Sequence, residues 1–487
     1  MTDNLYFVDT TLRDGPHSLW AQNITVGMML PVAERLDEAG FKGIEVMGSG
    51  HLKKCVRDLK EDPWEKLSLL AGKIRKTPMG FMMLPSVTTF DVTPLPVLEA
   101  YIKCLAARGI RRFQVMESSN DMGNRIPETV DYVRKAGGQS ALALVYSISP
   151  RHTDAYYARK ALEAAKLRPE VIYLKDPAGL LTPERTTTLV PALLAALKDF
   201  PGQIELHSHC TTGLAPICYL EAVKLGIRIV HTGIPPLANG AAQPSVFNVA
   251  RNAQLLGYAP QLALESLRSV GEHFAEIARN EKMPVGAPLE YDVEQYLHHI
   301  PGGVISHLRS QVAQLGMSAR LPEVLEEVAR VRIDFGYPIM VTPFSQFVGS
   351  QAVLNIMTGQ RYAQVSDEVI EFALGRWGNE AAESMDAGIR DRILDRSRAR
   401  ELSVPPAEPS LKDVRKQLGG ARLSDEDLIL RLLAPESEIA TMRAAGAPRL
   451  EYATGGASFV KLVAALARRR DLRKVYVRSG NMEVTLR

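Results

Sequence analysis

The chain has 487 residues, 46% hydrophobic and 23% charged, with a formal net charge of +3. That is more than one ordinary domain of globular composition, and so small a charge gives no reason to look for a nucleic-acid partner. Four cysteines without CxxC spacing argue against a zinc knuckle or disulfide framework, no apolar run reaches membrane-spanning length, and no signal-peptide pattern opens the chain, so a cytoplasmic enzyme is expected.

Short apolar runs alternate with helical stretches from the start. A strand over 5–9 leads into the loop TTLRDGPHSLWAQN (10–23) and a helix over 26–39 stopped by Gly40. Strands follow over 43–46, 79–84, 112–116, 140–146, 171–174, 203–207 and 228–232. Helices are expected over 63–76, 94–107, 127–135, 153–166, 183–198, 214–224 and 244–257. Eight strand–helix units predict an α/β fold, a closed (β/α)8 TIM barrel. An open doubly wound sheet would need a glycine-rich phosphate turn after the first strand, and TTLRDGPHS is not one.

Two strand ends carry unusual chemistry. In VIYLKDPAGLLTP (171–183), Val171, Tyr173 and Lys175 share one strand face; in IELHSHCTTG (204–213), Glu205, His207 and His209 share another. Two imidazoles two residues apart can bind one metal. A protonated lysine beside a dication is repelled, so burial and field both favour the neutral amine. That amine can add carbon dioxide, and the resulting carbamate is itself an anionic ligand. In a barrel the active site lies at the C-terminal strand ends. Asp9 and Asp14 follow the first strand there, beside Lys175, His207 and His209. One carboxylate, two imidazoles and a carbamate suit zinc or manganese and leave room for substrate. Taken singly, each residue has an ordinary alternative: a surface lysine, core histidines, and Asp14 as a loop cap or the ion-pair partner of Arg13.

DTTLRDG, YLKDPAGLL, HSHCTTG, QPS (243–245) and IPGG (300–303) occur in the order found in biotin-dependent carboxyltransferase domains. The chain resembles the carboxyltransferase part of pyruvate carboxylase, the oxaloacetate decarboxylase alpha subunit and the transcarboxylase large-metal subunit, from about 7 to 362 and more weakly to 433. Isopropylmalate synthase and hydroxymethylglutaryl-CoA lyase share the barrel more distantly. The resemblance implies Asp14, Lys175 as its carbamate, His207 and His209 as metal ligands, with Arg13 beside them as a catalytic candidate. It implies a helical funnel after the barrel, where 289–374 turns helical with a helix over 321–335. It also implies that Thr342, in VTP, passes a proton between biotin and the acceptor. A hydroxyl can do this as donor and acceptor at once; the residues alone read Thr342 equally as a cap for the helix after Pro343.

VPPAEP (404–409) reads as a linker and 412–434 as a closing helical segment. A basic-ended helix is expected over 458–472, and strand–turn–strand over 474–487 around Ser479, Gly480 and Asn481. The expected division is a catalytic barrel over 1–285, a funnel over 286–403, and a linker, helices and hairpin over 404–487 that serve assembly. No AMKM-type biotinylation motif occurs, so biotin is expected on a separate carrier.

The departures concern the organic substrate. His17 stands where pyruvate-handling relatives have glutamine. Pro85 aligns with their substrate-binding arginine, Asp121 with a tyrosine, and Cys210 with an aspartate. A missing arginine removes the bidentate clamp for a small carboxylate, although Arg125 lies nearby. His17, Pro85, Glu117, Asp121, Cys210 and Gln243 form the candidate acceptor and biotin pocket. The resulting expectation is a metal-dependent carboxyltransferase subunit using carboxybiotin and an acceptor other than standard pyruvate. Its metal is zinc first, with manganese or cobalt as alternatives. Separate biotin carrier and biotin carboxylase subunits are its expected partners, in a homodimer or larger assembly. The alternatives are a biotin-independent lyase or aldol-type enzyme, and a non-catalytic assembly subunit.

Overall fold

Eight parallel strands close into a barrel: β1 Asn4–Asp9, β2 Gly43–Gly48, β3 Met79–Met83, β4 Ile110–Val115, β5 Gln139–Val145, β6 Val171–Asp176, β7 Gln203–Ser208 and β8 Ile229–Thr232. Each pairs with the next, and β1 pairs with both β8 and β2. The computed structural model describes all residues except 1–2, 89–91, 294, 300–307, 309–311, 405–406, 453–461, 464, 468, 470–473, 480–481 and 487. The IPGG motif and much of the helix expected over 458–472 lie outside the described residues. Among the described residues, no helix is long and apolar enough to cross a membrane.

Barrel strands are covered on both faces, so they read as nearly continuous apolar runs. Outward residues such as Phe7, Ile172, Leu174, Leu206 and Val230 pack under the helices in one large core. The helix starts are written locally. Asp62 accepts from the backbone N–H groups of Trp64 and Glu65, Thr153 from Tyr156, and Thr182 from Arg185. The first long helix, Val26–Glu38, ends just before Gly40, whose φ of +96° is open to glycine at little cost.

The barrel interior has two halves. Ala141, Ala143, Val145, Val171 and Tyr173 form an apolar side, joined from above by Ile339 and Val341. Those two residues plug the mouth between the helices Leu321–Asp334 and Phe344–Thr358. Burying each contributes about 1.5–3 kcal/mol and fixes the neighbouring Thr342 at the barrel rim. The other half is ionic: Glu45, Arg112, Gln114, Glu205, His207 and His231 are essentially inaccessible. Gly43 makes room for it, since a Cβ there would lie 2.9 Å from Arg112 Cδ.

After the barrel, Phe335, Phe344, Tyr362 and Phe372 centre a second, helical core. The chain then returns. Leu428, Ile429 and Leu433 of the helix Asp425–Leu433, with Ile439 and Met442, join the barrel core. Arg108 grips both carboxylate oxygens of Glu426 at 2.6 Å. The segment 412–434 is two helices, Leu411–Leu418 and Asp425–Leu433, because Gly419 and Gly420 break it at φ +149° and +113°. The helix expected over 63–76 ends at Ala71. Unforeseen elements are a helix Ser49–Lys54 running into a π-turn Cys55–Leu59, the helix Leu264–Glu281, and a short strand Ala259–Pro260 beside β1. The terminal hairpin pairs Val475–Ser479 with Met482–Leu486.

Candidate active site

The β6–β7 register sets Lys175 directly beside His207. His209 lies just past the end of β7, where its N–H donates to Asp176 O at 3.0 Å. Asp14 begins the short helix Asp14–Leu19 in the β1 loop and is anchored through its N–H to Thr10 O. Their polar atoms converge. Asp14 Oδ2 is 3.3 Å from His207 Nε2 and 3.6 Å from His209 Nε2. The two Nε2 atoms are 3.3 Å apart. Lys175 Nζ is 3.2 Å from His207 Nε2 and 4.0 Å from Asp14 Oδ2. Asp9, grouped with these from sequence, does not join them. It alternates outward with Leu5 and Phe7, and its carboxyl accepts from Thr11 Oγ1 at 2.5 Å.

Such a cluster suits a cation. Separations of 3.3–3.6 Å between donor atoms match ligands sharing one ion at about 2 Å. Asp14 Oδ2 is buried and, among the described residues, has no hydrogen bond beyond its ion pair with Arg13. His209 Nδ1 stands 2.7 Å from Ala241 O. A carbonyl only accepts, so Nδ1 carries the proton and Nε2 presents a bare lone pair. Gln243 is fully buried over the two rings, its amide nitrogen 3.2 and 3.0 Å from their Nε2 atoms and its Oε1 without a hydrogen bond among the described residues. Exchanging the amide's two ends would aim its oxygen at the cluster.

The electrostatics agree. Burial works against ionising Asp14, but Arg13, followed by His209, holds its carboxyl well below the usual range. Arg13 Nη2 is 2.9 Å from Asp14 Oδ2, and its Nε donates to Glu45 at 2.6 Å. Arg13 thus pairs with Asp14 while Asp14 still faces the cluster. Burial pushes Lys175 down to about 8 against the pull of Asp14. Burial also depresses His207 and His209. His17 is exposed in the short helix Asp14–Leu19, its Nδ1 2.7 Å from Gln22 Nε2. Desolvation pushes its imidazole down to about 4, against the pull of Asp14.

The remaining candidates divide between places. Pro85 and Glu117 line one small cavity with Ser118, Arg125, Pro343 and Trp377. Ser118 Oγ donates to Thr342 O at 2.8 Å, tying that cavity to the rim. The Thr342 side chain does not cap the helix Phe344–Thr358, and its hydroxyl has no partner among the described residues. Glu117 Oε2 accepts from Ser119 N, Ser119 Oγ and Asp121 N, while burial lifts its carboxyl to about 7. Asp121 turns away to accept from Asn379 N. Arg125 donates to the carbonyls of Pro85 and Thr93. Cys210 lines a different groove, with Gly213, Pro216, Ser245, Asn248 and Arg251.

Of the ionic half of the barrel, only Glu205 and His207 were placed on one face from sequence; Glu45, Arg112, Gln114 and His231 were not anticipated. Its signal was available: Glu205, Arg112 and Gln114 sit at inward positions of strands otherwise apolar, and His231 at the inward position of β8.

The chain matches the family described as HMGL-like over residues 98–273, and that described as Conserved carboxylase domain over residues 296–462. It is 33% identical over 444 residues to a pyruvate carboxylase subunit of Methanocaldococcus jannaschii, covering 90% of this chain and 77% of that one. It is 27% identical to the 2-oxoglutarate carboxylase large subunit of Hydrogenobacter thermophilus, over 88% of this chain and 67% of the relative. With the Methylmalonyl-CoA carboxyltransferase 5S subunit of Propionibacterium freudenreichii it shares 29%, over 88% and 85%. The fold matches the carboxyl transferase domain of Rhizobium etli pyruvate carboxylase, solved with oxamate and biotin. The TM-score is 0.80 at 24% identity, over 91% of this chain and 78% of that one.

Proposed function

The chain belongs to the biotin-dependent carboxyltransferase family, and on that footing we propose that it moves a carboxyl group between carboxybiotin on a separate carrier and a small organic acceptor. The observation that carries this reading is the convergence of Asp14, Lys175, His207 and His209 at the strand ends. A divalent ion held by these four, zinc first by donor set and manganese or cobalt otherwise, would polarise the acceptor's oxygen and ease loss of its proton. Lys175 serves as its carbamate. The neutral amine's lone pair forms an N–C bond to carbon dioxide and the nitrogen releases one proton, leaving an anionic carbamate. Arg13 holds the Asp14 carboxylate in place. Thr342, fixed at the rim by its plugged neighbours, hands a proton between acceptor and biotin. Thr342→Ala should therefore lower carboxyl exchange by about 10²–10⁴-fold, with Thr342→Ser largely active and metal content unchanged. Equal activity in wild type and Thr342→Ala would remove this role.

The acceptor is read as different from standard pyruvate. Proline offers no side-chain donor at position 85, and Arg125, on the same cavity, is engaged with backbone carbonyls. Losing a charge-assisted bond to a buried anion costs about 2–5 kcal/mol, or roughly thirty- to several-thousand-fold in affinity. Pyruvate should exchange poorly. Efficient pyruvate turnover that Arg125→Met abolishes would show that Arg125 supplies the clamp and would overturn this reading. In the same proposal, 1–285 carries the chemistry, 286–403 forms the funnel, and 404–487 serves assembly with separate carrier and biotin carboxylase subunits.

A further inference from the structure

Beneath the four converging atoms, His207 has a second contact. Its Nδ1 lies 3.1 Å from Nδ1 of His231. His231 Nε2 in turn stands 2.7 Å from Glu205 Oε2, which Arg112 Nη2 meets at 2.5 Å. All four side chains are buried, with 0–1% exposure. The fold forces the juxtaposition: β7 and β8 pair Glu205 with Ile229 and Leu206 with Val230, and the next pair in that register is His207 with His231. Tyr173 stacks on the His231 ring at 5.4 Å and 18°, holding its plane.

Tautomers follow from these contacts. A neutral histidine that gives its Nε2 lone pair to a cation carries its proton on Nδ1. In His207 that proton meets His231 Nδ1, which must accept it. An accepting Nδ1 places the His231 proton on Nε2, where it donates to the Glu205 carboxylate. This arrangement satisfies the contacts running from His207 through His231 and Glu205 to Arg112; His231 Nδ1 also faces Glu45 Oε1, but at the longer distance of 3.4 Å, and that oxygen accepts from Gln114 Nε2 at 2.6 Å. His209 is oriented differently, by the backbone carbonyl of Ala241, which no side-chain substitution removes.

We propose that His231, anchored by Glu205 and Arg112, is the positioning residue that sets the tautomer and ring orientation of His207 for metal binding. This rests on the metal reading given above. Partners of this kind change metal affinity by about 10–100-fold.

The test is cobalt(II) titration of the metal-free full chain, read by visible absorption, with thermal melting of the metal-free protein reporting the fold. His231→Leu removes the acceptor and should bind one cobalt about 10–100-fold more weakly than wild type. His231→Asn returns an acceptor oxygen near the lost Nδ1 and should recover most of that affinity. Ring N–H signals of ¹⁵N-histidine-labelled wild type keep the inference testable should a variant not fold: a protected Nδ1–H on His207 is expected. Wild-type affinity in a folded His231→Leu, failure of His231→Asn to recover affinity, or His207 protonated on Nε2 in the cobalt-loaded or zinc-loaded protein overturns the inference alone. Two ions per chain in wild type, with one lost in His231→Leu, would make His231 a ligand instead and also overturn it. A wild type that takes up no cobalt sinks the metal reading and this inference together.

Discussion

Lys175 and Glu117 show how burial alone changes what a side chain can do. Lys175 is 3% exposed and its amine is pushed down to about 8, so a sizeable neutral fraction exists near pH 7 to add carbon dioxide. A map of the loaded protein should show a planar branched extension on Nζ reaching the ion; a bare amine pointing away from an occupied site would refute the carbamate. Glu117 is lifted by burial from 4.5 to about 7. Between those values the folded protein keeps a proton the unfolded chain has lost, so this group's stability contribution is full below pH 4.5 and is lost as pH rises through 7. The loss is about 3 kcal/mol as an order of magnitude. Melting curves of wild type and Glu117→Gln across pH 4.5–8 should diverge, with the variant gaining relative stability as pH rises; parallel curves would show that Glu117 does not hold that proton. Lys175, His207 and His209 were legible because period-two alternation puts them at the same end of adjacent strands. His231 and Arg112 were not, since each stands alone in sequence and only closure of the barrel makes them neighbours of His207 and Glu205.

The eight strands were legible as elements because each is a short apolar run bounded by helical periodicity. What failed was finer. The helix Leu264–Glu281 carries apolar residues at 267, 270, 274 and 277, a clear helical spacing. The split at Gly419 and Gly420 was also written in the sequence. By contrast, the insertion of Ile339 and Val341 into the barrel mouth is a contact across nearly 200 residues with Ala141, Ala143 and Val145, and no local pattern announces it. That insertion has a measurable consequence. Ile339→Ala should destabilise the protein by about 2–5 kcal/mol and, by loosening the rim, lower carboxyl exchange while metal content stays at the wild-type level. Unaltered exchange in a measurably destabilised variant would show that Thr342 does not depend on this plug.

Across the whole molecule, one ionic and one apolar half-interior place a four-donor cluster at the mouth and a hydroxyl at its rim. The terminal hairpin stands apart in character, with Tyr476 59% exposed, and its proposed role is in assembly. Truncation before Lys474 should weaken recruitment of the carrier, measured by co-purification, while leaving metal content intact; unchanged recruitment would dismiss that role. Elemental analysis of the purified chain beside a His207→Ala, His209→Ala double variant decides whether Asp14, Lys175, His207 and His209 hold a catalytic ion. About one divalent transition ion per wild-type chain is expected, and essentially none in the variant. Full occupancy in the variant, or a wild type that binds no such ion, would contradict this assignment.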